Sequence, residues 1–253
     1  MESLVTKLHE QIILAIKNTV TPKKIGLAFS GGVDSSLLAK ICSDLGFEVT
    51  LLTVGFEGSH DIEFSKKISA LMKLKHLTSR IPEKSFPLVA KEIRLQIGTD
   101  NLSWNENCIA FHYVSELAKK NGIDVVLTSN GIDELFCGYN AYREAIESGE
   151  KAVMDLMESK LENEIRMMRA VNHVSSKFGV KILQPLLSDE FIGFAKPIPM
   201  QEKIKDKDDL VRKHIIRHLA LSVGVPPESA LKRKKALQYG SLIHKNLMKI
   251  RKT

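Results

Sequence analysis

The stretch Ile25-Gly26-Leu27-Ala28-Phe29-Ser30-Gly31-Gly32-Val33-Asp34-Ser35-Ser36-Leu37-Leu38 decides the fold. A short apolar run, Ile25 to Phe29, ends in Ser-Gly-Gly, and Ser35 to Leu45, closed by Gly46, reads as a helix. That is strand, tight loop, helix. Two glycines after a strand let the backbone turn its amide hydrogens into a concavity at the positive N-terminal end of the next helix, and such a concavity attracts phosphate. A bare Gly-Gly with Ser35 as a helix cap would be only an ordinary turn, so the rest of the string carries the argument. The Walker pattern Gly-x-x-x-x-Gly-Lys-Ser/Thr is absent, so nothing in the sequence supports a kinase or a γ-phosphate NTPase.

Working outward, Leu8, Ile12, Ile13 and Ile16 lie on one face of a helix from Leu4 to Val20 that Thr21-Pro22 stops. Downstream, the pattern predicts strands at 49–56, 77–81 and 125–128, and helices near 61–74, 85–97 and 107–120. This alternation implies an α/β fold, a parallel twisted sheet with helices on both faces, whose ligands sit at the carboxyl ends of the strands. After Tyr139 the strand signal fades, and 144–169 and 208–221 look helical. The expected division is an ATP-binding α/β domain over 1–143 and a mainly helical part over 144–253 that completes the site, the two forming one continuous domain in the alternative reading. The charge run Lys203 to Asp209 reads as a solvated loop.

The chain has 253 residues, 43% hydrophobic and 26% charged, enough for a substantial core. It has no run of about 18 apolar residues and no secretion-signal pattern, so no membrane partner is expected and the expected location is the cytoplasm. Cys42, Cys108 and Cys137 are scattered without a Cys-x-x-Cys pair, which argues against a redox motif or zinc knuckle. A net charge of +7 suits anionic partners, nucleotides or RNA, without choosing between them.

The full string Ser30-Gly31-Gly32-Val33-Asp34-Ser35-Ser36 resembles the PP-loop of the ATP pyrophosphatases. Gly131-Ile132-Asp133-Glu134-Leu135-Phe136-Cys137-Gly138-Tyr139 resembles the Gly-Ala-Asp-Glu-Leu-Phe-Gly-Gly-Tyr of the asparagine synthetase C-terminal (synthetase) domain. Thr53-Val54-Gly55-Phe56-Glu57 and Arg233-Lys234-Lys235-Ala236-Leu237-Gln238-Tyr239-Gly240 are similar to two further segments of that family, in family order. The resemblance implies an adenine nucleotide alpha hydrolase-like, Rossmann-like fold that binds ATP and Mg²⁺. It implies an enzyme that adenylates a small carboxylate, releases pyrophosphate and lets ammonia or an amine displace AMP. On this resemblance Ser30, Gly31, Gly32, Val33, Asp34, Ser35 and Ser36 bind phosphate. Ala28, Val54, Gly55, Thr128, Ser129 and Gly131 wall the nucleotide pocket. Asp34 and Asp133 hold the metal, and Lys235 meets the charge that builds at the α-phosphate. Lys234 is the alternative should the register slip by one, and on composition alone Lys232 to Lys235 is a solvated or RNA-binding run.

The acceptor half departs from the family. Its Glu in Ser-Gly-Glu-Gly-x-Asp-Glu falls on Asn130, and the Glu, Arg and Asp of Glu-x-Arg-x-Pro-Phe-Leu-Asp fall on Lys181, Leu183 and Ser188. Losing the Arg removes a bidentate carboxylate partner. ATP use is therefore better supported than aspartate as acceptor. A glutamine-using synthetase begins with a glutaminase domain carrying an N-terminal cysteine. Neither is seen, so the chain reads as stand-alone, with a separate glutaminase subunit or free ammonia as nitrogen source. The competing readings are a PP-loop enzyme that modifies tRNA and a nucleotide-binding regulator without catalysis. His214 and His218 have metal-binding spacing, but Arg212, Lys213 and Arg217 beside them read as a solvated basic face. Trp104 and Phe111 read as core rather than base-stacking groups.

Overall fold

The chain is described from a computed structural model, over residues 2–232 and 240–250. Five parallel strands, β1 (Lys24–Ala28), β2 (Glu48–Gly55), β3 (Lys75–Arg80), β4 (Val125–Leu127) and β5 (Lys181–Leu183), form one sheet in the order β3-β2-β1-β4-β5. The expected α/β architecture is therefore present. The fifth strand escaped the sequence reading because three residues at a sheet edge are too few for a period to show.

Successive β2 side chains point to opposite faces. Val49 and Leu51 join one core, with Leu8 and Ile16 of α1 (Glu2–Thr19) and Leu37 of α2 (Val33–Asp44). Leu52 and Val54 join the other, with Ile93 of α4 (Phe86–Ile97) and Ile109 of α5 (Leu102–Lys120). The helix α3 (His60–Met72) links β2 to β3. Beyond β4 come α6 (Ile132–Leu135), α7 (Ala141–Ala145) and the long α8 (Glu150–Ser176). After β5 come α9 (Asp189–Ala195), α10 (His214–Ser222), α11 (Pro227–Ala230) and α12 (Ile243–Ile250). Residues beyond 143 enter both cores: Leu219 packs into the first, and Val171 and Ile243 into the second.

β1 pairs with β2 on one side and with β4 on the other, so chain order reverses at β1. A crevice opens beyond the strand ends at such a reversal. The loop after β1 holds Ser30 to Gly32, and the loop after β4 holds Ser129 to Gly131. Among the described residues, no helix is long and apolar enough to cross a membrane.

Candidate active site

The crevice is a cleft of about 200 Å³ at the ends of β1, β2 and β4. Ala28, Ser30, Gly32, Val33, Asp34, Ser35, Val54, Thr128, Ser129 and Asp133 line it, so most residues singled out from sequence converge. Gly31, Ser36, Gly55 and Gly131 are not among its lining residues. Ser36 is fully buried, with its hydroxyl against Ser229, and shapes the loop from behind. Lys235 and Lys234 fall outside the described residues.

The loop takes its shape from local rules. Gly31 adopts φ +76°, a left-handed backbone that side chains resist. Ser35 Oγ donates to the Gly32 carbonyl at 3.2 Å and lies 3.5 Å from Ser30 Oγ, so two hydroxyls stand at the rim. Gly32 caps α2, which puts Asp34 in its first turn, and Asp133 sits likewise in the first turn of α6. The two carboxylates come from neighbouring strand ends and meet at one point.

That point is filled by Lys213. Its ammonium lies 2.5 Å from Asp34 Oδ2 and 2.5 Å from Asp133 Oδ1, and its side chain is only 2% exposed. Burial pulls the lysine pKa down, but the Asp133 and Asp34 charges outweigh it and hold the ammonium above the usual lysine range. Gly138 makes room for the triad, because a Cβ there would stand 1.8 Å from Asp133 Oδ1 and 2.5 Å from Lys213 Cε.

Arg212 and Lys213 both occupy left-handed backbone, at φ 48° and 56°. Such residues cost on the order of 1–3 kcal/mol each and persist where neighbours fix them. Asp209 Oδ1 accepts the Val211 and Arg212 amides at 3.0 and 2.9 Å, Arg217 Nε donates to the Arg212 carbonyl at 2.8 Å, and Lys213 N–H donates to the Lys203 carbonyl at 2.6 Å. Four backbone amide and side-chain bonds oppose the strain.

This corrects the reading of Arg212, Lys213 and Arg217 as a solvated basic face: all three are buried, at 6%, 1% and 4% exposure. Lys203, assigned to a solvated loop, is also buried and donates to the Ala195 and Lys196 carbonyls. Charge-run statistics describe free surface, and here helix and loop packing removes it. His214 pairs with Asp209 at 2.6 Å, while His218 is exposed, so the two do not share a partner. Phe111 is buried and lines the cleft; Trp104 Nε1 donates to Asn163 at 3.0 Å.

A second cation lines the cleft. Lys232 Nζ donates to His60 Nε2 at 2.8 Å and sits over the Phe64 ring. At the other end, Asn130 accepts from the Thr128 hydroxyl and donates to Glu164 on α8, while the Tyr139 hydroxyl donates to Glu134. Glu164 and Glu134 are both buried and both line the cleft. Tyr139 is held well above the usual phenol range by burial and by the charges of Glu134, Asp133 and Glu164. Sequence reading missed Lys213, Lys232 and Glu164. Lys181 is exposed on β5, and Leu183 and Ser188 line a separate groove behind the sheet, where Ser188 caps α9 through the Phe191 amide.

Two carboxylates converging on a positive charge beside a loop of backbone amides offer the hard oxygen donors that Mg²⁺ takes together with phosphate oxygens. Asp34 and Asp133 carry such donors, and Lys213 occupies the point where they meet. Among the described residues no group of three or more His, Cys, Asp and Glu could hold a metal ion.

The asparagine synthase family model matches residues 7–175. Over 96% of its length the chain is 29% identical to a putative glutamine-hydrolyzing asparagine synthetase of Methanocaldococcus jannaschii, covering 51% of that protein. Over 80% of its length it is 25% identical to glutamine-hydrolyzing asparagine synthetases of Brassica oleracea and Arabidopsis thaliana, covering 36% of each. The chain thus spans about half, or less, of the relatives it matches. A family model covering two thirds of the sequence, on a parallel sheet whose strand ends bring the motif residues to one cleft, places the protein: the chain belongs to the asparagine synthase family.

Proposed function

We propose that the chain is an ATP-dependent carbon–nitrogen ligase that forms AMP and pyrophosphate. The observation that carries this reading is the meeting of Asp34, Asp133 and Lys213 beside the Ser30–Ser35 loop at the switch point of the sheet. A cradle of amides, hydroxyls, two carboxylates and a lysine at the strand ends suits a pyrophosphate leaving group. The sequence carries no Walker motif that would place a lysine for γ-phosphate transfer.

In this reading a carboxylate oxygen of the acceptor attacks the α-phosphorus, and the bond to the β-phosphate oxygen breaks. Lys232 lines the cleft that would receive the departing pyrophosphate, Lys213 balances the two carboxylates beside it, and Lys235, outside the described residues, is the residue assigned to the charge growing on the α-phosphate. Asp34 and Asp133 would hold Mg²⁺, which supplies charge screening of the phosphates when bound. Ammonia or an amine next attacks the acyl carbon of the adenylate, and AMP leaves. The attacking nitrogen sheds a proton, and Glu164, bridged to Asn130 at the acceptor end, is the carboxylate we assign to receive it. That assignment restores an acidic group where the family's Glu has become Asn130.

The test is incubation of the chain with ATP, Mg²⁺, ammonium and a panel of small carboxylates, followed by chromatography of the nucleotides. AMP with stoichiometric pyrophosphate is expected. A pool dominated by ADP overturns the reading. Turnover that requires tRNA and falls with salt would transfer it to tRNA modification, and ATP binding without turnover to a nucleotide-binding regulator.

A further inference from the structure

We infer that Ser229, in a part of the chain beyond the family-model match, is a positioning residue that aims the phosphate loop's amide into the cleft. The inference rests on the phosphate-binding reading above. Ser229 is fully buried on α11, and its hydroxyl lies 2.7 Å from the Gly31 carbonyl and 2.9 Å from Ser36 Oγ. Ser229 is the donor in both contacts, and because a carbonyl only accepts, the shorter bond to Gly31 is the one that its single proton serves best.

The consequence follows from peptide geometry. In a trans peptide the Gly31 C=O and the Gly32 N–H point in opposite directions. Pinning the carbonyl outward to Ser229 therefore turns the Gly32 amide inward. The amide does face that way, 3.4 Å from Ser30 Oγ, and Ser30 and Gly32 line the cleft while Gly31 does not. A Gly-Gly pair has little preference of its own between the two orientations of this peptide, because glycine populates positive and negative φ alike. An external anchor is what selects one.

The anchor is itself held. Arg217 Nη1 donates to the Ala230 carbonyl at 2.6 Å and to the Lys232 carbonyl at 2.9 Å, clamping α11 and the residues after it. Ser229 is thus rigid before any ligand arrives, as preorganised donation requires.

The experiment measures binding of inorganic pyrophosphate and, separately, of adenosine to the wild-type chain and to Ser229→Ala by calorimetry, with thermal melts alongside. We expect pyrophosphate affinity to fall about tenfold, the scale of one lost charge-assisted hydrogen bond, while adenosine affinity is unchanged. Ser229→Cys, a near-isostere with a weaker donor, serves if the alanine variant does not fold, and should show a smaller loss in pyrophosphate binding alone. Unchanged pyrophosphate affinity in the folded variants, or parallel loss of pyrophosphate and adenosine binding, would overturn the role of Ser229. A wild-type chain that binds no pyrophosphate would overturn the phosphate-binding reading and this inference together.

Discussion

Lys213 and Asp34 lie 179 positions apart in sequence, and their charges meet at 2.5 Å in a site that water barely reaches. Asp133 closes the same ammonium from the other side. Three charges brought together by three separate loops form the electrostatic centre of the cleft, and their balance generates testable expectations.

Removing the lysine should be costly twice. Lys213→Ala leaves two carboxylates facing one another, and breaking a buried ion pair costs about 3–5 kcal/mol. Activity should also fall by at least about 100-fold through loss of charge stabilisation. Melting curves with and without Mg²⁺ separate the effects: a divalent ion should stabilise the variant more than the wild type. Equal shifts would mean that the carboxylates do not share a cation site.

Asp34→Asn and Asp133→Asn should each lower Mg²⁺-dependent pyrophosphate release by at least about 100-fold while circular dichroism stays native. Unchanged rates in folded variants would reduce both residues to helix caps.

Aspartate should be a poor acceptor. The structure moves the weight of this expectation onto Asn130, since Lys181, Leu183 and Ser188 lie away from the cleft. Glu134 and Glu164 line the same end, and a dicarboxylate entering it must be desolvated near like charge, a cost of several kcal/mol. Ammonia-dependent asparagine formation by the purified chain is the measurement, and efficient synthesis would refute the expectation.

Lys235→Ala should raise the barrier by roughly 2.7–4 kcal/mol, the scale of one lost transition-state donor, with ATP affinity little changed. Lys234→Ala is the control. If the neighbour proves essential and Lys235 dispensable, the register is off by one. If neither matters, the basic run faces solvent or RNA.

Acid should weaken the fold in a defined window. Burial, with Lys66 nearby, lowers His76 to about 4; burial and the Lys177 charge, opposed by Glu116 and Glu92, lower His112 to about 4. Both values lie below the unfolded value of about 6.5, so the unfolded chain binds more protons between them. This contribution is fully present above about pH 6.5 and lost as pH falls toward 4. Melting temperature against pH should show that slope, and His112→Phe, whose ring keeps the edge contacts to Tyr113 and Phe178, should flatten it. An identical profile in the variant would remove His112 from the account.

The alternation of apolar runs and helical stretches was enough to read four of the five strands and the cleft's location, because each depends on local pattern. Ser30 to Asp34 and Asp133 were singled out through short motifs that resemble the family's, and the structure brings them to one cleft. Lys213 was not. In the string Val211-Arg212-Lys213-His214 its neighbours are basic and the local composition is that of a surface, and only packing of α10 against α2 turns the side chain inward. Glu164 was hidden likewise among the other acids of α8, where nothing marks the one that faces the cleft.

The distance along the chain between the loop and its braces bears on synthesis. Polypeptides emerge and begin to fold from the N-terminus, and contacts of large sequence separation form late. The first four strands are complete by Leu127, yet Lys213 reaches Asp34 and Ser229 reaches Gly31 only once the last fifth of the sequence is available. A nascent chain can therefore assemble most of its sheet while the loop after β1 is still without its braces and Asp34 without its lysine. The two carboxylates wait for their lysine counter-charge until Lys213 has been made.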